Sequence, residues 1–341
     1  MIPLFYALAA IALSAYIVLD GFDLGAGALH FFVAREESER RAVLAAIGPF
    51  WDGNEVWLLA SGGVLFAVFP RVLAVAFSGF YLALFLVVWA LILRGLSIEL
   101  RGHLLSPLWR AFCDFMFAAS STLLALLFGV ALGNLLRGVP TGGDGWFTLP
   151  LFTSMLPRAP VGLLDVYTIG VGAFAVVALA HHGALFLAWK TAGEVNRRAH
   201  QAAGRLFPAL LVLLVGVFAM TAATLGLKPA PRALPLFVVA VAALIATRPL
   251  RVRGRERAAF LASIVFLAGA LFAVAATLFP AMLRSVDNAP DLTAYDAASS
   301  SYGLSAVLTW IPIALVLIAA YFANLFRIYR GKVEVGSDDG H

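Results

Sequence analysis

The sequence predicts an all-α polytopic membrane protein, and three observations carry that prediction. Hydrophobic residues make up 62% of the 341 and the mean hydropathy is +0.95, whereas soluble domains hold about 45–50% apolar residues. The apolar residues fall in runs long enough to cross a bilayer. The basic residues collect in alternate loops between those runs. With only 13% of residues charged, little of the surface can face water, and lipid is the solvent that the excess requires.

A membrane helix needs about 20 predominantly apolar residues to cross about 30 Å of hydrocarbon. Nine runs qualify: 3–34, 43–69, 72–94, 111–133, 162–189, 204–226, 233–247, 257–280 and 303–328. The seventh is the shortest. Pro70, Pro140, Pro157, Pro160, Pro229, Pro231 and Pro290 sit between runs, where helix breakers belong. The start, Met1 to Tyr6, has no Lys or Arg and its run is too long for a signal-peptide core, so the first helix is expected to stay in the mature protein. Cys113 has no second cysteine to pair with, so redox compartment is not legible.

Loops after the first, third, fifth and seventh runs hold Arg35, Arg40 and Arg41; Arg94, Arg101 and Arg110; Lys190, Arg197, Arg198 and Arg205; and Arg248 to Arg257. The opposite side has far fewer: Arg71, Arg137, Arg158, Lys228, Arg232 and Arg284. The positive-inside rule then places the N-terminus outside and the C-terminus in the cytoplasm. The net charge of +5 is thus a topology signal rather than a nucleic-acid footprint.

A faint repeat links Gly27-Ala28-Leu29-His30-Phe31 with Gly183-Ala184-Leu185-Phe186-Leu187, each followed by a basic loop. It suggests two four-helix bundles plus a peripheral ninth helix. The corresponding division is 1–140, an outer loop 141–161, 162–283, and 284–341 for the ninth helix and tail. A helix leaving the membrane into a basic loop would look similar without duplication, and both origins stay open.

The chemistry concentrates in the first two runs. Asp20 and Asp23 in Leu19-Asp20-Gly21-Phe22-Asp23-Leu24-Gly25 share a helix face, as do Asp52 and Glu55 in Trp51-Asp52-Gly53-Asn54-Glu55-Val56-Trp57. Gly21 and Gly25 form a small-residue stripe that admits a neighbouring backbone. Counted from the basic loops at about 1.5 Å per residue, Asp23 and Asp52 lie roughly 17 Å deep and Asp20 and Glu55 roughly 22 Å. Unbroken helices would therefore pair Asp23 with Asp52 and Asp20 with Glu55. An intramembrane carboxylate costs at least about 2.5–3.5 kcal/mol. Four together indicate a wet path, a cation site or a proton relay, against the plainer alternative of a polar network that pins packing. No Lys or Arg lies within these two runs, so any ion pair must come from elsewhere.

Other chemistries find less support. No helical Glu-x-x-His pair marks a di-iron site. Haem needs His, Met or Cys ligands, but His103 and His200 are expected in loops and His341 is terminal. His30, His181 and His182 lie near helix ends, where snorkelling or backbone bonding is expected. Gly142-Gly143-Asp144-Gly145 is turn chemistry without a nucleotide fingerprint.

The Asp20–Gly27 and Trp51–Trp57 strings resemble subunit II of the bd-type quinol oxidases, including the cyanide-insensitive branch. Ala76-Phe77-Ser78-Gly79-Phe80-Tyr81 and Gly133-Asn134-Leu135-Leu136-Arg137-Gly138-Val139-Pro140 also look like that family. The resemblance implies a bacterial inner-membrane subunit without haem of its own. Its homologous partner, subunit I, would carry haems b and d and the quinol-oxidising loop, reducing oxygen to water with cytoplasmic protons. It aligns Asp20 and Asp52 with acids of a proton-entry path at the subunit interface. Asp23 and Glu55 follow by motif neighbourhood, with Trp51, Asn54 and Trp57 as motif support. Relatives can carry Gln at the position of Glu55. Some members hold a structural quinone in this subunit, which the motifs map to no residue, and small single-helix accessory subunits can join. A proton- or cation-coupled transporter is the alternative, but the second half has Val176 and Leu179 where the first has Asp20 and Asp23. A purely structural subunit is the third.

Overall fold

The computed structural model describes residues 1–142, 145–158, 160–226, 230–287 and 289–333. Gly143 and Asp144 of the outer-loop motif, Lys228, Pro229 and His341 lie outside the described residues. Among the described residues the chain is all-α apart from a pair of short antiparallel strands, β1 (Ala281–Leu283) and β2 (Leu292–Thr293). Its helices are α1 (Ile2–Ala28), α2 (His30–Val33), α3 (Glu37–Ile47), α4 (Trp51–Val68), α5 (Pro70–Gly79) and α6 (Tyr81–Glu99). There follow α7 (Pro107–Arg137), α8 (Val166–Lys190), α9 (Gly193–Leu225), α10 (Leu234–Val252), α11 (Glu256–Leu278) and α12 (Ser301–Ile328). Among the described residues eight helices are long and apolar enough to cross a membrane, and nine if the bent pair α4–α5 counts as one crossing.

That bent pair corrects the expected second and third runs. The run 43–69 is broken: α3 ends at Ile47, a turn follows, and α4 begins at Trp51. At Pro70 the chain turns by 119° into α5, because proline has no N–H for the preceding turn and clashes with a continuing helix. Ten residues of α5 span only about 15 Å, so α5 cannot cross alone. The third crossing is consequently α6, which runs to Glu99 rather than stopping at Arg94. In the same way α9 starts at Gly193, so His200 is helical and pairs with Glu256 at 3.0 Å instead of lying in a loop.

Helices α1 and α8 meet where the sequence carries its small residues. A Cβ on Gly25 would lie 2.0 Å from the Leu179 carbonyl oxygen, and one on Gly183 would lie 2.4 Å from Gly25. The stripe on α1 thus admits α8, and α1 also packs on α4, α7 and α11. Gly129 of α7 meets Gly172 of α8 in the same manner. Such close approach replaces the hydrophobic driving force that lipid removes. Helix α12 stands apart, touching chiefly α4 and leaving most of its side chains exposed.

Ion pairs tie the helix ends. At one end Arg137 bonds Asp165 and also donates to Asn134 Oδ1 at 2.6 Å, both partners being buried. Asp165 in turn caps α8 by accepting from the Thr168 amide at 2.8 Å. At the other end buried Asp114 accepts from Arg101 at 2.7 and 3.1 Å and meets His30 Nε2 at 3.0 Å. His30 is therefore buried and paired rather than snorkelling. His182 bonds the Val18 carbonyl at 2.9 Å and Ser263 at 2.7 Å, and His181 bonds Thr247 at 3.4 Å.

Glu39 opens α3 with a capping box, accepting from the amides of Arg35 at 2.7 Å and Glu36 at 3.1 Å, and it ties α3 to α9 through Arg198 at 2.7 Å. Burial pushes its carboxyl up, but Arg198 and the two amides outweigh burial and hold it below the usual glutamate range. Its folded pKa is thus depressed, so its stabilisation is full above about pH 4.3 and is lost as pH falls through the folded value. Glu39→Gln is expected to lower the melting temperature at pH 7 and to reduce the drop in melting temperature between pH 7 and pH 4. An unchanged pH dependence would remove Glu39 as its source.

Candidate functional site

The acids of α1 and α4 converge on an arginine from a third helix. Arg94 of α6 is fully buried, as is Asp20. It donates through Nη1 to Asp20 Oδ2 at 2.8 Å and through Nη2 to Asp20 Oδ1 at 2.6 Å. The same Nη2 donates to Glu55 Oε1 at 2.7 Å. This planar fork suits arginine, whose parallel N–H groups match a carboxylate. Asp20 and Glu55 are thus brought together as their matched depth predicted, with the cation between them.

Asp23 and Asp52 are not paired. Asp23 is fully buried and accepts from Asn54 Nδ2 at 2.8 Å, while Asn54 also donates to the Leu19 carbonyl at 3.1 Å. The depth count for α4 requires an unbroken helix from the basic loop, but a turn separates α3 from α4 after Ile47. Asp52 is exposed on the outer face of α4, within electrostatic reach of Glu99 and Arg94. It lines a groove of about 430 Å³ between α4 and α12, with Gly53, Trp57, Tyr321 and Phe322. Tyr321 seats against Gly53, where a Cβ would come within 2.9 Å of its hydroxyl.

The motif residues divide by role. Asn54 holds Asp23. Trp51 packs its ring on Gly95 beside Arg94. Trp57 turns its ring toward Phe322 of α12, with 6.3 Å between centroids. Several buried polar atoms here have no protein partner among the described residues: Asp23 Oδ1, Asn54 Oδ1, Arg94 Nε and Trp57 Nε1. Buried polar groups without protein partners are ordinarily satisfied by water. Among the described residues no three His, Cys, Asp or Glu side chains are grouped to hold a metal ion.

Arg94 lies inside α6 and not in the basic loop that the hydropathy pattern predicts. A run over 72–94 ends at Arg94 and leaves it to a basic loop, whereas the crossing helix α6 carries it inside. The signal was present: apolar residues continue past Arg94 through Leu96 and Ile98, which marks a charge inside a helix. Glu99, Asp114 and Asp165 were not singled out either.

Comparison with known proteins identifies the family of the chain. The model of the family described as cytochrome bd terminal oxidase subunit II matches residues 1–329. A probable cytochrome oxidase subunit 2 of Haemophilus influenzae is 31% identical, covering 98% of this chain and 96% of that protein. The cytochrome bd-I ubiquinol oxidase subunit 2 of Escherichia coli K12 is 32% identical, covering 97% and 94%. The cytochrome bd ubiquinol oxidase subunit 2 of Bacillus subtilis is 30% identical, covering 92% of each chain. The structure of bd oxidase from Geobacillus thermodenitrificans shares the fold, with a TM-score of 0.75 and 17% identity over 96% of this chain and 98% of that one. The chain belongs to the cytochrome bd terminal oxidase subunit II family.

Proposed function

We propose that this chain is the haem-free subunit of a quinol:oxygen oxidoreductase. It supports a haem-bearing subunit I and supplies a cytoplasmic proton-entry path for the reduction of oxygen to water. The observation that carries the path is the buried Asp20–Arg94–Glu55 fork, flanked by Asp23–Asn54 and opened toward the arginine-rich end by Asp52.

The chemistry follows from charge balance. Arg94 compensates the buried charge of the acids, so removal or arrival of one proton changes the net charge of the cluster without stranding an isolated ion. Asp52 and Glu99 form the entry, Glu55 and Asp20 the ion-paired centre, and Asp23 with Asn54 flanks it. The unpartnered polar atoms of Asp23, Asn54, Arg94 and Trp57 are suited to waters that bridge carboxylates too far apart for direct transfer.

An exposed carboxylate at membrane depth does not face lipid. The α4 surface around Asp52 is therefore the face that subunit I covers, with the quinol-oxidising loop and haems b and d on the partner's side. The chain divides as 1–140 and 162–283, with α12 and the tail apart, N-terminus outside and C-terminus cytoplasmic. The α4–α12 groove, aromatic on three sides with one carboxylate, has the chemistry to hold a structural quinone ring. Single-helix accessory subunits and lipid complete the assembly.

Purification from native membranes tests the assignment. The chain is expected to co-purify with a haem-bearing subunit and quinol oxidase activity. Isolation without haem, or proton-coupled substrate uptake by the chain alone in vesicles, would favour a transporter.

A further inference from the structure

We propose that a groove at the start of α11 binds the headgroup of an anionic phospholipid, independently of the proton path. The groove has a volume of about 460 Å³ and is walled by Trp189, Arg255, Glu256, Arg257 and Leu261. It sits at the arginine-rich ends of α8 and α11, both membrane-crossing helices. That is the level at which phospholipid headgroups and interfacial tryptophans lie.

Its charge is unbalanced. Arg253, Arg255 and Arg257 are exposed, and no carboxylate among the described residues lies in ion-pair reach of them. The one acid in the wall, Glu256, is already engaged: it takes Lys332 at 2.6 Å, Asn196 at 2.8 Å and His200 at 3.0 Å. The groove therefore presents two free guanidinium groups beside a neutralised carboxylate. Below them the surface turns apolar, with Leu261 47% exposed and the Trp189 ring stacked on Phe260 at 5.4 Å. Cationic donors above and an apolar shelf below match a phosphodiester with its acyl chains. Free phosphate would use the first and leave the second bare.

The sequence beyond the described residues supplies a rival occupant, since residues 334–341 include Glu334, Asp338 and Asp339. The test therefore separates three sources. The purified two-subunit complex, stripped of lipid in detergent, is titrated with phosphatidylglycerol or phosphatidylcholine, and retained lipid is read by native mass spectrometry. Wild type is expected to retain phosphatidylglycerol in preference. Arg255→Gln with Arg257→Gln should weaken retention roughly thirtyfold, and each single change roughly fivefold, at about 1 kcal/mol per surface arginine. The single variants serve if the double one fails to assemble. Arg255→Lys with Arg257→Lys should keep most of the retention, with haem content and oxygen consumption at wild-type levels throughout. Equal retention of phosphatidylcholine, or undiminished retention in the glutamine variants, would overturn the proposal. So would displacement by millimolar inorganic phosphate, which indicates a phosphate site. Binding that appears only after residues 334–341 are removed would assign the groove to the acidic tail.

Discussion

Arg94→Met is expected to abolish assembly of the haem-bearing complex. Removing one partner of a buried ion pair leaves the other charge uncompensated and costs about 3–5 kcal/mol. Here one guanidinium serves two carboxylates, and Asp20 has no exposure through which water could replace it. Stability of a whole domain is only about 5–15 kcal/mol, so the loss is a large fraction of the total. Arg94→Lys keeps the charge but loses the parallel fork to Asp20, and its yield of complex should be intermediate. Combining Arg94→Met with Asp20→Leu and Glu55→Gln should recover assembly, because an apolar replacement of a buried ionic group is often neutral, while turnover stays low. Yield and haem content of the purified complex report the first effect, and oxygen consumption the second. Recovery of both in the triple variant would reduce the cluster to a packing device.

Gly25→Val should be comparably severe for a different reason. The Cβ it adds would lie 2.0 Å from the Leu179 carbonyl oxygen and 2.8 Å from the Gly183 amide nitrogen. These are backbone atoms of α8 and cannot rotate away. Overpacking costs about 1–3 kcal/mol where side chains can yield, and here two helices must separate. Because α1 carries Asp20 and Asp23, their displacement also breaks the bonds from Arg94 and Asn54. The expected result is loss of the complex on extraction in detergent. Gly216→Val on α9, where nothing lies within 4 Å of the new Cβ, should leave assembly intact and serves as the control. Full yield from Gly25→Val would show that the α1–α8 crossing is looser than its geometry.

The all-α class and the small-residue stripe were legible because both rest on local signals: run length, and glycines at helical spacing. The ninth crossing at 303–328 lies within two residues of α12 at both ends. Two local breaks, after Ile47 and at Phe69–Pro70, are invisible to a hydropathy run. The turn at Phe69–Pro70 diverts ten apolar residues into α5, and a hydropathy run cannot distinguish a crossing helix from a re-entrant one. That misreading moved Arg94 from the membrane to a loop and hid the cation at the centre of the site. The Asp20–Glu55 pairing survived because α1 and α4 remain antiparallel neighbours. The Asp23–Asp52 pairing is absent: Asn54 takes Asp23, and Asp52 is exposed on a helix that starts afresh after the break at Ile47. The partners of His30 and Arg101 were illegible for another reason: Asp114 reaches them only through tertiary contact.

The central claim, that the acids carry protons, is tested most directly at Asp52, whose side chain makes no hydrogen bond or ion pair with the described residues of this chain. The decisive measurement is quinol-driven oxygen consumption by the purified complex carrying Asp52→Asn, with the haem spectrum recorded on the same sample. The account predicts a fall of at least about tenfold, since loss of a proton-transfer group typically costs that much or more, with an unaltered haem spectrum. Wild-type turnover in Asp52→Asn, and likewise in Asp20→Asn, would contradict a proton path through this subunit.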